Sequence, residues 1–202
     1  MSNTGSVSPV IDELIESLKS LPGLGPRSAA RIANHLLVND RAAALRLAQA
    51  LDDACRKIGR CEYCNTLSES SVCPICADAE RDHEQLCIVE SPADQRVIEE
   101  TMTYHGLYFV LMGLISPIQG IGGTQLGLEK LMTRIEASEI KEVMIATPYT
   151  PEGDATAHFI AQAIKARGFD IHVTRLARGV PAGVELEYTD ANTIANAIFA
   201  RR

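Results

Sequence analysis

Two Cys-x-x-C pairs separated by eight residues, Cys61, Cys64, Cys73 and Cys76, constrain this chain more than any other feature. Four thiols with no histidine among them can close a tetrahedral sulfur site around one Zn2+, each pair supplying two thiolates. No position is left open for water, so such a site is structural and not catalytic. A disulfide framework would need an oxidising compartment. A redox Cys-x-x-C would be expected at the start of an apolar helix after a strand, and neither pair sits there. Iron–sulfur ligation also satisfies the sulfur count. The first residues lack the basic-then-apolar pattern of a secretory leader, and no apolar run approaches the ~20 residues of a membrane span. We therefore expect a cytoplasmic protein with reduced thiols, one structural Zn2+ per chain and no membrane contact. Cys55, on an expected helix, and Cys87, inside Leu86-Cys87-Ile88-Val89, read as buried small apolar residues.

The composition is that of a folded chain, with 46% apolar and 22% charged residues over 202 positions. A net charge of −7 speaks against a surface devoted wholly to nucleic acid. The average conceals a split: residues 1–60 carry eight basic and six acidic side chains, a net of +2, which leaves −9 for the rest. The first part is suited to an anion, the second to a metal or a basic partner.

Hydrophobic periodicity divides the chain in the same way. Residues 10–58 read as three helices, roughly Val10–Leu21, one opening at Pro26 with Ala29, Ala30, Ile32, Ala33, Leu36 and Leu37 as its stripe, and Arg41–Ile58 with Leu45, Leu47, Ala48 and Leu51. Residues 61–76 are too polar for a core element. Beyond them strands are expected at Leu86–Glu90, Tyr108–Met112, Glu142–Thr147 and Ile171–Leu176, alternating with helices at Ala93–Met102, Leu126–Ile135 and Ala155–Arg167. A short helix, Asp190–Ala200, closes the chain with Asp190 as its N-cap. The alternation predicts a mostly parallel sheet, and the fold class is α/β. The expected divisions are 1–58 (helical), 59–80 (four-cysteine knuckle), 81–178 (α/β) and 179–202 (tail), with Arg178–Glu187 a candidate subunit contact. Five scattered histidines and the glycine loops at 118–127 and 179–183 match no ligand or nucleotide pattern.

Leu21-Pro22-Gly23-Leu24-Gly25-Pro26-Arg27 joins two amphipathic helices through a glycine turn. Its amides fall at a helix N-terminus, where donors and dipole favour phosphate, and Arg27 and Arg31, four apart, share a face beside it. Lys19, at the end of the preceding helix, is a candidate third cation. The segment resembles the helix-hairpin-helix motif, which grips the DNA backbone without reading bases. In the acidic part, Glu90 ends a strand and Glu152-Gly153-Asp154 follows another. These segments resemble the Toprim domain of topoisomerases and primases, in which a glutamate and an Ala-Thr-Asp-x-Asp-x-Glu-Gly-Glu run hold Mg2+. Here Pro148 and Thr150 replace both aspartates of that run. Glu90 and Glu152 therefore read as helix-terminal charges or partner contacts in preference to catalytic groups.

The order helix-hairpin-helix, four-cysteine knuckle, degenerate Toprim and short tail resembles the bacterial RecR recombination mediator family over almost the whole chain. Further specific segments are Val89-Glu90-Ser91-Pro92-Ala93-Asp94 and Gly179-Val180-Pro181 with Gly183 and Glu185-Leu186-Glu187. Pro148-Tyr149 stands where an Asn-Pro-like turn would be expected. The resemblance implies no enzymatic activity and a role with RecO and RecF in loading RecA onto single-stranded gaps. It also implies a ring-like homo-tetramer with Gly23, Gly25, Arg27 and Arg31 facing DNA, zinc fixing the joint between the two halves, and Glu90, Glu152 and Asp154 offered to RecO. The rival expectation is a Mg2+-dependent Toprim nuclease or topoisomerase-like enzyme, disfavoured by the missing Asp-x-Asp.

Overall fold

The computed structural model describes residues 8–199 apart from 117, 119 and 178. Arg178, the first residue of the expected subunit contact, lies outside the described residues, as does Ala200, the expected last residue of the closing helix. The chain forms two compact units, 1–58 and 59–202.

In the first unit, α1 (Pro9–Lys19) and α2 (Pro26–Asn34) are joined by the glycine turn. The helix continues through one wider π turn, His35–Asn39, and Asp40 then caps α3 (Arg41–Lys57) by accepting a hydrogen bond from the Ala43 amide at 2.8 Å. Among the described residues of this unit only Ala29 and Ala33 are fully buried. Small residues at these two positions let α1 approach α2 closely.

One expectation fails on α3. Leu45, Leu47 and Leu51 are 73%, 48% and 57% exposed, and Cys55, expected to be buried, is exposed as well. Periodicity identifies the helix and its apolar face. Among the described residues, however, no element of this unit covers that face.

The second unit begins with a small antiparallel ribbon, β1 (Gly59–Arg60) with β2 (Leu67–Ser68), followed by the single-turn helix α4 (Pro74–Ala77). The α/β part runs β3 (Asp82–Val89), α5 (Pro92–Glu100), β4 (Gly106–Val110), α6 (Leu128–Glu136), β5 (Glu142–Ala146), α7 (Pro151–Ala166) and β6 (His172–Arg175). A 3-10 turn (Leu186–Tyr188) precedes α8 (Ala191–Phe199), which Asp190 caps through the Asn192 and Thr193 amides, both at 3.0 Å. The sheet order is β4-β3-β5-β6 and every pairing is parallel.

Strand period sorts the core into two layers. Leu86, Ile88, Leu107, Phe109, Val143 and Ile145 face one way and pack with Leu131, Ile135, Ile160 and Ile164 of α6 and α7. Their neighbours Cys87, Val89, Tyr108 and Val110 face the other way, with Ile98 of α5 and Ile75 of α4 against them.

Element boundaries differ from expectation where a special residue sits. β4 ends two residues earlier than expected because Met112 takes a left-handed conformation, φ 63°. β3 begins four residues earlier, since apolarity marks only its buried half. α7 starts at Pro151, four residues before the expected Ala155, because Thr150 caps it by accepting from the Gly153 amide at 3.1 Å. Glu152 and Asp154 thus lie in the first turn of a helix. Gly153 is obligatory there: a Cβ would stand 1.9 Å from the Pro148 carbonyl oxygen.

Candidate functional site

The cysteine segment, expected to be too polar for a core, builds a small core of its own. Cys61 and Cys64 lie on the turn closing the β1–β2 ribbon, Cys73 caps α4 and Cys76 lies within it. The four sulfurs lie within 4.8 Å of one another, with Cys64 and Cys73 3.5 Å apart. A tetrahedral ion with Zn–S bonds of about 2.3 Å requires sulfurs roughly 3.8 Å apart, so the set fits one Zn2+. Cys61, Cys64 and Cys73 are buried. Backbone amides already point at the sulfurs: Cys73 N–H at Cys61 Sγ, 3.3 Å, and Cys76 N–H at Cys73 Sγ, 3.5 Å.

This knuckle is bolted to the sheet. Val110 N–H donates to the Cys64 carbonyl at 2.8 Å, and Asn65 Nδ2, on a residue with φ 64°, donates to the Val110 carbonyl at 2.7 Å. Two cations four residues apart on α6 complete the contact. Lys130 Nζ reaches the Cys61 carbonyl at 3.1 Å, and Arg134 reaches the Tyr108 carbonyl at 3.0 Å and Cys76 Sγ at 3.8 Å. Hydrogen bonding from Cys64 and then the positive Arg134 hold the Cys76 thiol at about 5 despite its burial, while the Cys64 thiol is pushed up in turn.

Nothing in the local spacing points to Lys130 or Arg134; only the i, i+4 pair of cations on an amphipathic helix gives a signal. Groups that orient and neutralise a ligand typically contribute tenfold to a hundredfold in metal affinity. Arg134→Gln should therefore release zinc to a chromogenic chelator about tenfold faster at unchanged stoichiometry. An unaltered release rate would remove Arg134 from the metal centre.

The hairpin is open where a ligand would approach. Gly23 takes φ +80°, which closes the turn, and Gly25 is the extended N-cap of α2 with no side chain capping it. Nothing lies within 4 Å of the place a Cβ would take at either glycine, so internal packing gives no reason for Gly25 to be glycine. The amides of Arg27 and Ser28, at the second and third helical positions, have no carbonyl a turn earlier to receive them. Arg27 and Arg31 are exposed, and among the described residues neither forms an ion pair. Lys19 differs, because its Nζ is held by Glu16 at 2.7 and 2.8 Å.

At the C-terminal ends of the strands, Glu90 follows β3, and Glu152 and Asp154 open α7. They do not assemble into a metal site: among the described residues the four cysteines are the one group of three or more potential ligands brought together. The carboxylates present therefore do not fit the Mg2+ of a metal-binding Toprim domain. Asp154 instead pairs with Arg175 at 2.6 Å. Burial and then the nearby Asp94 charge raise the Glu90 carboxyl above its ordinary range. A carboxyl raised on folding binds its proton more tightly in the native state, so its ionisation costs stability as pH rises through the folded value. Glu90→Gln should accordingly melt above the wild type at neutral pH and coincide with it at acid pH, below the ordinary carboxyl range. A gain of equal size at both pH values would rule out the titration.

Four family models match successive stretches: RecR helix-hairpin-helix over residues 11–55, the RecR four-cysteine zinc finger domain over 58–78, Toprim domain over 84–177 and RecR C-terminal over 179–202. The chain belongs to the RecR family. As a RecR, it carries a helix-hairpin-helix, which is a DNA-binding motif, and a four-cysteine zinc finger whose converging thiols could hold one metal ion. The family is one of non-enzymatic mediators of recombinational repair. No helix among the described residues of this RecR is long and apolar enough to cross a membrane.

Proposed function

We propose that this chain is a non-enzymatic, sequence-independent DNA-binding mediator in the cytoplasm that acts with RecO and RecF to promote RecA loading at single-stranded gaps. The observation that carries the reading is the open start of α2. Uncapped amides behind Gly23 and Gly25 stand beside Arg27 and Arg31, two exposed cations outside any ion pair among the described residues. Phosphate is the anion such a surface suits, and phosphate contact carries no base information. Lys19, already paired with Glu16, contributes less, since contact with DNA must first free it.

One hairpin holds few phosphates, and several copies in a ring would multiply its grip. The bare apolar face of α3, with Leu45 and Leu51 largely exposed, supports a homo-oligomer, which we take to be a tetramer. Glu90, Glu152 and Asp154 form the face offered to RecO; the cost of keeping Glu90 ionised supports a use for its charge outside the folded chain. Zinc at Cys61, Cys64, Cys73 and Cys76 keeps the knuckle in place on the sheet. RecA assembly on gapped DNA, followed with RecO and RecF present, tests the proposal. Assembly should accelerate on adding this protein, and Glu152→Lys should lose both the acceleration and RecO binding. Equal assembly with and without the protein would refute the mediator reading.

A further inference from the structure

β6 ends at Arg175, which pairs with Ile145 and so stands beside the C-terminal end of β5. Its guanidinium meets three residues of the 147–154 segment, Thr147, Tyr149 and Asp154. Nη1 lies 2.6 Å from Asp154 Oδ1, and Nη2 lies 3.4 Å from both the carbonyl and the hydroxyl oxygen of Thr147. The guanidinium carbon sits 4.2 Å from the centre of the Tyr149 ring, and the Tyr149 hydroxyl donates to the Leu176 carbonyl. Thus the first residue of the loop, its middle and the first turn of α7 all converge on one cation.

This is the loop in which the Toprim pattern carries the acids that hold a divalent ion. Here Pro148 and Thr150 have no charge, and Asp154 is ion-paired. The remaining groups meet the two terminal nitrogens and the face of a guanidinium, while its Nε is buried without a hydrogen-bond partner. A guanidinium is planar, permanently charged and weakly hydrated, so it stacks on an aromatic face while its edge meets a carboxylate and a carbonyl. The loop it spans is folded back tightly, as the 1.9 Å approach of a Gly153 Cβ to the Pro148 carbonyl requires.

We infer that Arg175 is the resident cation of this corner: a covalently attached charge takes the balancing place of a divalent ion and positions the 147–154 loop without metal. The arrangement stands independently of the mediator reading. Its consequence for the acidic face is that Asp154 is neutralised within the chain, which leaves Glu90 and Glu152 as the two expected partner residues outside an ion pair among the described residues.

The test uses the full, zinc-loaded chain. Arg175→Gln and Asp154→Asn should each lower Tm by about 3 °C, and the double variant should fall no further than the worse single one. Mn2+ titration followed by electron paramagnetic resonance should find no Asp154-dependent site in the wild type. Arg175→Gln should gain a weak one, which the double variant lacks. A merely structural ion pair would not create that site. Additive losses in Tm, no Mn2+ gained by Arg175→Gln, or wild-type Mn2+ binding that disappears in Asp154→Asn would each overturn the inference. The wild-type and Asp154→Asn titrations keep it open to refutation should Arg175→Gln fail to fold.

Discussion

Replacing Cys64 with serine should strip the zinc and loosen the whole 59–78 segment. Cys64 is fully buried, and its carbonyl and the neighbouring Asn65 side chain hold both backbone groups of Val110 at the end of β4. Three thiolates and a hydroxyl bind Zn2+ poorly, and structural zinc in finger peptides supplies roughly 10–16 kcal/mol of folding free energy at neutral pH. Part of that is retained by the sheet contacts of the knuckle, so we expect a loss of about 4 kcal/mol and a Tm lower by roughly 10 °C. Metal content measured by atomic absorption should fall from one zinc per chain to near none. A variant that kept its zinc and its melting temperature would disprove the structural role of the metal.

Reversing both exposed arginines, Arg27→Glu with Arg31→Glu, should abolish DNA binding while leaving fold and oligomer size intact. Both side chains are exposed and α2 buries only Ala29 and Ala33, so the cost to stability is small. Each phosphate contact contributes close to one unit to the slope of log affinity against log salt, so the double variant should lose about two units of slope per hairpin engaged. At about tenfold for each lost contact, affinity should fall at least ~100-fold, and repulsion from the new carboxylates adds to this. Fluorescence anisotropy over a salt series, with light scattering to confirm size, provides the measurement. Binding that ignored both salt and the substitutions would move the function to protein partners alone.

Much of this architecture is legible in the linear order because its signals are local. Short apolar runs alternating with helical segments locate all four strands of the parallel sheet, and the two Cys-x-x-C spacings locate the metal site. The differences have physical causes. The expected end of β4 falls two residues late because nothing in the type of Met112 announces its left-handed backbone. The capping role of Thr150, and with it the start of α7 at Pro151, is hidden because Pro148 and Pro151 give the segment the look of a loop. The exposure of Cys55 and of the apolar stripe of α3 was not legible because periodicity reports which face is apolar, not what lies against it.

By itself, the amino-acid order determined the chemistries held within a few residues: two thiols per turn for a metal, two arginines one helical turn apart beside an open glycine turn, and a Toprim run without its aspartates. Backbone geometry brings such near neighbours together whatever surrounds them. Only the tertiary structure decided the meetings between distant segments. Arg134 comes to Cys76 across 58 residues and Arg175 to Asp154 across 21, while the acids at the strand ends stay apart. Those meetings depend on strand order and helix packing, which the burial of the whole core sets and no short spacing encodes.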